Sequence, residues 1–184
     1  MKPLATLALL ALATTASSAQ APVPDVAAQR TAITALDFLD GEWTGPATAQ
    51  TPNGLVHLTQ TERIGSLLAG TIKLVEGRGY DQSGAMLFNA FAVISYDAPQ
   101  HRYTMRSYAQ GRVVDAEFER TPAGFAWGFA VGPGRVHYAA TVADGHWQET
   151  GAFEMPGRPP VPTTTLDLHR RGPTSWPLAG AVMP

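Results

Sequence analysis

Arg112-Val113-Val114-Asp115-Ala116-Glu117-Phe118-Glu119-Arg120-Thr121-Pro122-Ala123-Gly124-Phe125-Ala126-Trp127-Gly128-Phe129-Ala130-Val131 decides the fold. Before the turn at 121–124, Val114, Ala116 and Phe118 alternate with Asp115, Glu117 and Glu119. After it, Phe125, Trp127, Phe129 and Val131 alternate with Ala126, Gly128 and Ala130. Successive side chains of a strand point to opposite faces, so the acids are expected to meet water and the aromatic row to face a core. An aromatic row left outside would be a sticky patch. Two alternating runs joined by a short turn read as a β-hairpin.

The same pattern extends in both directions. Turns are expected at Pro52-Asn53-Gly54, Gly77 to Gly79, Asp81 to Gly84, Asp97 to Gln100, Gln110-Gly111, Gly132-Pro133-Gly134 and Asp144-Gly145. They bound ten candidate strands: 42–50, 55–64, 67–76, 85–96, 101–109, 112–120, 125–131, 135–143, 146–155 and 163–171. Even spacing without helix-length gaps predicts an all-β, antiparallel up-and-down sheet. Closing into a barrel removes its edges, and an open β-sandwich is the alternative. Ahead of the strands, Asp25 is the expected N-cap of one short helix. Val26, Ile33, Leu36 and Leu39 form its apolar stripe, and Asp40-Gly41 ends it.

Several strands place polar groups on otherwise apolar faces. Val56, Leu58 and Ile64 share parity with Gln60 and Glu62, and Leu68, Ile72 and Leu74 with Gly70 and Glu76. Trp147, Phe153 and Met155 share theirs with Glu149. Leu166 and Leu168 alternate with Asp167 and His169. A barrel of this strand number encloses more space than its lining fills, so an apolar cavity with a few polar groups is expected. Glu62 and Glu76 lie near strand ends, where a watery mouth is an equally good location, whereas Glu149 is nearer mid-strand. Tyr103 and Arg106 lie on one strand, and only one of them faces in.

Composition sets limits on function. The 184 residues are 45% hydrophobic and 15% charged, with 13 Lys+Arg against 15 Asp+Glu. That is too apolar for a disordered chain and too neutral for phosphate-driven nucleic-acid binding. There is no cysteine, hence no disulfide framework or thiolate site. Residues 1–19 combine Lys2, an apolar run from Leu4 to Ala16 and Ser17-Ser18-Ala19, the pattern of a secretory signal peptide with cleavage before Gln20. A membrane span would need roughly 20 apolar residues. A periplasmic or secreted protein follows, with a linker at 20–24, a barrel domain at 25–171 and a tail at 172–184.

Gly41-Glu42-Trp43, directly after the helix, resembles the Gly-x-Trp signature opening the first strand of calycin barrels, the group of lipocalins and fatty-acid-binding proteins. The resemblance implies that Trp43 plugs the closed end and that a basic residue of the last strand, Arg170 or Arg171, stacks over it. Leu36 to Trp43, Val75 to Gly79, Ala92 to Asp97 and Trp127-Gly128-Phe129 are similar to a bacterial group of secreted lipocalin-like proteins, which implies a calycin-type barrel and no particular activity. Nitrobindin-type barrels, which hold haem through a last-strand histidine, share the Gly-x-Trp start. Here the first strand continues Thr44-Gly45-Pro46 and lacks their later glycine and Tyr-Pro pair. Their ligating position falls at Thr163, and His169 alternates outward, so haem is disfavoured.

Other chemistry is thinly represented. His57, His101, His137, His146 and His169 offer no i, i+2 or i, i+4 pair, although ligands from different strands could meet. No Gly-x-Ser-x-Gly elbow occurs. The favoured reading is a barrel binding a small, largely apolar or amphipathic molecule. Its ligand-facing residues are Trp43, Gln60, Glu62, Glu76, Tyr103, Phe118, Trp127, Phe129, Trp147 and Glu149, with Gly41, Trp43 and Arg170 as structural residues. The alternatives are a cavity enzyme of isomerase or cyclase type using Glu149 as acid or base, and a filled structural or interaction barrel.

Overall fold

The structure, a computed structural model, describes residues 25–178. The expected signal peptide and linker, and residues 179–184 of the tail, lie outside the described residues. Ten strands follow one helix: β1 (Gly41–Thr51), β2 (Gly54–Leu67), β3 (Ile72–Tyr80), β4 (Met86–Asp97), β5 (Arg102–Ala109), β6 (Arg112–Thr121), β7 (Gly124–Val131), β8 (Gly134–Ala143), β9 (His146–Glu154) and β10 (Val161–Gly172). Each pairs antiparallel with its neighbours in sequence, and β1 pairs with β10. The sheet is a closed up-and-down barrel, which rules out the open sandwich.

The helix is shorter than the apolar stripe suggested. α1 (Val26–Thr34) starts where the Asp25 carboxylate accepts a hydrogen bond from the Ala28 amide at 2.9 Å. Val26 itself is exposed. Beyond Thr34 the chain tightens into a 3₁₀ turn at Asp37–Leu39. Ile33, Leu36 and Leu39 follow one another at three-residue intervals and are all fully buried. A three-residue repeat keeps one face inward in the tighter 3₁₀ geometry. This segment caps one end of the barrel. It is tied there by Tyr103 Oη donating to the Ala32 carbonyl (2.7 Å) and Arg120 Nε donating to that of Ala35 (3.1 Å).

Trp43 forms the floor. It is 1% exposed, and its Nε1 donates to the Leu39 carbonyl at 2.8 Å. Arg170, rather than Arg171, stacks over it, with its guanidinium carbon 4.1 Å from the ring centroid. Gly41 is needed for this arrangement. Its φ is +123°, and a Cβ there would come within 2.9 Å of the Arg170 guanidinium and 2.6 Å of the Gly172 carbonyl. Beside the plug lies fully buried Lys73, whose Nζ donates to Asp37 (2.7 Å), Asp40 (2.6 Å) and Ser66 (2.9 Å).

Two expectations fail together in β3. Gly77 to Gly79 is not a turn but mid-strand. Glu76 is not inward. In antiparallel pairs directly opposed residues share a face. Glu62 faces Gly77 and Ile64 faces Val75, so Val75 and Gly77 point in, while Glu76 opposes Arg63 on the outside. The apolar residue that misled the parity, Leu74, is 7% exposed although it shares that outer face. The tail explains this burial. Trp176 lies over the outer surface, with a Cβ at Gly65 falling 2.2 Å from its carbonyl, its ring edge-on to Phe91, and Arg63 4.6 Å above it.

Candidate functional site

Alternation along the strands lines the interior. β2 contributes Leu58, Gln60, Glu62 and Ile64, and β9 contributes Trp147 and Glu149. β7 brings Phe125 and Trp127, and β8 brings Tyr138. They surround a cavity of about 250 Å³ above the plug. An apolar cavity of ~150 Å³ already accepts benzene, so a somewhat larger molecule fits.

The polar groups are few and tightly held. Glu149 is 4% exposed, and its two oxygens accept from two indoles, Oε1 from Trp127 Nε1 at 3.1 Å and Oε2 from Trp147 Nε1 at 3.0 Å. Glu62 Oε1 accepts from Gln60 Nε2 at 2.7 Å. Its Oε2 has no protein donor among the described residues. Burial pushes the Glu62 carboxyl up to about 8; the Gln60 hydrogen bond opposes the shift, and the nearby Glu149 charge adds to it. Burial likewise pushes Glu149 up to about 7 against the pull of its two indole donors. Glu62 is 9% exposed and lines the cavity, so it does not sit in a watery mouth.

The β3 glycines are what make this site possible. A Cβ at Gly77 would sit 2.7 Å from Glu62 Oε1 and 2.8 Å from Oε2, and one at Gly79 would sit 3.1 Å from Gln60 Oε1. Opposite two inward polar side chains, β3 therefore carries no side chain. Gly151 does the same for Tyr138, whose ring would lie 2.5 Å from a Cβ there. Tyr138 stacks on Trp127 with centroids 4.0 Å apart and planes at 6°.

Gln60, Glu62, Phe118, Trp127, Trp147 and Glu149 thus meet in one cavity. The other expected ligand-facing residues do not line it. Trp43 lies in the floor, edge-on to Trp147 at 5.7 Å. Tyr103 points inward below the cavity, spending its hydroxyl on the helix, while Arg106 points outward beside Asp115. Phe129 packs on Trp127 toward the mouth, with centroids 6.0 Å apart. Glu76 lies outside between Arg63 and Arg78. Although burial raises its affinity for a proton, those two guanidiniums outweigh it and hold the carboxyl below the usual range. Tyr138 was not singled out from sequence, yet Val136, Tyr138, Ala140 and Val142 alternate as clearly as the other strands do.

One cluster escaped the spacing rules because it spans two strands. His146 of β9 and His169 of β10 are directly opposed on the outer face, with rings stacked at 4.6 Å. Asp167 lies 2.6 Å from His146 Nε2 and 3.9 Å from His169 Nε2. Hydrogen bonding to His146, outweighing slight burial, keeps the Asp167 carboxyl low. Three potential metal-ligand atoms lie within 4.8 Å of one another, but one pair is already hydrogen-bonded.

Among solved structures, the crystal structure of Rv2717c from M. tuberculosis is similar, with a TM-score of 0.59. The match covers 76% of this chain and 97% of that one, at 11% sequence identity. The barrel is calycin-like. No family model and no curated protein matches the sequence. At this identity the likeness extends to the fold, and the chemistry of the lumen must be argued from its own residues.

Proposed function

We propose that this is an exported, periplasmic or secreted barrel that binds a small, largely apolar molecule in its interior. The observation that carries the reading is the 250 Å³ cavity, walled by aliphatic and aromatic side chains and holding only a few polar groups. Concave, mainly apolar sites with sparse, well-placed polar groups are what small ligands occupy. The N-terminal segment supports export. No helix among the described residues is long and apolar enough to cross a membrane.

Native mass spectrometry of gently purified protein tests the reading, together with quenching of Trp127 and Trp147 fluorescence by a panel of lipids, isoprenoids and small aromatics. A bound mass, or saturable quenching by a panel member, is expected. A bare apo mass with no quenching anywhere in the panel overturns it.

Acid–base catalysis is the second reading, favoured by two carboxyls that titrate near neutrality. The geometry favours Glu62 for that role over Glu149: both oxygens of Glu149 are occupied by indoles, whereas Glu62 lines the cavity with one oxygen that has no donor among the described residues.

A further inference from the structure

Two sets of carboxylates in this protein are met in different ways. Outside the lumen, Asp37, Asp40 and Glu76 each have a cation built beside them. Asp37 and Asp40 hold Lys73, and Glu76 sits between Arg63 and Arg78. Inside the lumen, Glu62 and Glu149 have none: among the described residues no Lys, Arg or His lines the cavity, and Tyr138 is the other titratable side chain there. Two acids in one low-dielectric chamber cannot both ionise cheaply without a counter-charge.

The hydrogen bonds show how the site is poised. An indole N–H on each oxygen of Glu149 suits its ionised form, and Gln60 fixes one oxygen of Glu62 while the other is left without a donor. The aromatic rings of Phe118, Trp127 and Trp147 complete the wall. Rings of this kind attract cations, more strongly where water is excluded.

We propose that the molecule carried in the lumen is an apolar amine, bound as its ammonium with an N–H donated to Glu62 Oε2, while Glu149 adds a second negative charge. This rests on the lumen being a binding site, as inferred above. An ammonium supplies the missing counter-charge and makes a charge-assisted hydrogen bond. A neutral alcohol of the same shape offers only the hydrogen bond. A carboxylate supplies no counter-charge and adds a negative charge beside acids that already lack a cation, which sets this lumen apart from one built for fatty acids.

The experiment compares 2-phenylethylamine, 2-phenylethanol and 3-phenylpropionate by calorimetry at pH 7 on the full protein. The amine is expected to bind at least tenfold more tightly than the alcohol, and the propionate most weakly. Glu62→Gln is expected to bring the amine down to the alcohol. Should that variant fail to fold, proton release keeps the question open to test in the unaltered protein. Titrations in buffers of different ionisation enthalpy are expected to show protons expelled by the amine and not by the alcohol. If the alcohol or the propionate binds as tightly as the amine, or the amine expels no proton, the ammonium assignment is overturned while the binding lumen stands. If none of the three binds and the neutral hydrocarbon indane also fails, the lumen reading falls and takes this one with it.

Discussion

Gly77 and Glu62 illustrate what a single position can and cannot disclose. The inward direction of Gln60, Glu62 and Glu149 was legible, because each sits in step with Leu58, Ile64 or Trp147 along its own strand. Glu76 passed the same test and failed, since Leu74, which set the parity, is buried by the tail on the outer face and not by the core. A one-residue error of frame turns every side chain of a strand to the wrong face. Gly77 read as a turn because glycine marks turns more often than gaps. Its actual contribution is space, visible only once β2 is laid beside it. Gly77→Ala is therefore expected to destabilise the protein by about 1–3 kcal/mol, as overpacking does, and to weaken lumen binding by displacing the Glu62 carboxyl. Chemical denaturation and ligand titration of the variant check this, and an unchanged midpoint would show that the wall yields freely.

Among the elements, the ladders are not equal. β6 and β7 pair only from Glu117↔Gly128 to Thr121↔Gly124. By contrast, β1 and β2 pair along the whole of β1. Toward the mouth, the stretch from Arg112 to Ala116 has a partner in β5 alone, and the stretch from Phe129 to Val131 in β8 alone. The hairpin whose alternation was plainest in the sequence is thus where the barrel wall is least closed. Its existence was legible from period two, but its splay was not, because alternation reports which face a residue takes and not how far a ladder runs. Backbone amides without a ladder partner exchange through small openings. Hydrogen–deuterium exchange is expected to be fastest, within the barrel strands, across these two stretches. Uniform protection of β6 and β7 along their full lengths would mean that the ladder continues in solution. The β3 boundary was missed for a related reason. Leu68 to Gly70 forms a short 3₁₀ turn that delays the strand to Ile72, and the apolar run Leu67-Leu68 gave no hint of it.

The molecule as a whole has one end sealed and one chamber holding two acids, and its stability registers both. The plug of Ile33, Leu36, Leu39 and Trp43 is conventional burial, nearly independent of pH. The lumenal acids are not. In the unfolded chain they titrate near 4.5, whereas folded Glu62 keeps its proton up to about 8 and Glu149 up to about 7, burial being the main cause of both shifts. Between these limits the unfolded chain holds fewer protons than the native one, so stability must fall as pH rises. The fall starts near pH 4.5 and levels off above about 8. Groups held low, such as Glu76, act in the opposite direction and only at pH values below the ordinary carboxylate range, where they lose stability as they take up protons. The melting temperature is thus expected to be highest near pH 5 and to decline toward pH 8, by an amount corresponding to a few kcal/mol. Glu62→Gln keeps an acceptor for Gln60 and cannot ionise, so it should match the unaltered protein at pH 5 and exceed it at pH 8. Thermal melts of both proteins at pH 5, 6.5 and 8 decide the matter. Parallel curves would show that Glu62 ionises in the folded state at no cost. A bound cation removes the same penalty, so an amine that enters the lumen should raise the melting temperature more at pH 8 than at pH 5, and an alcohol should raise it equally at both.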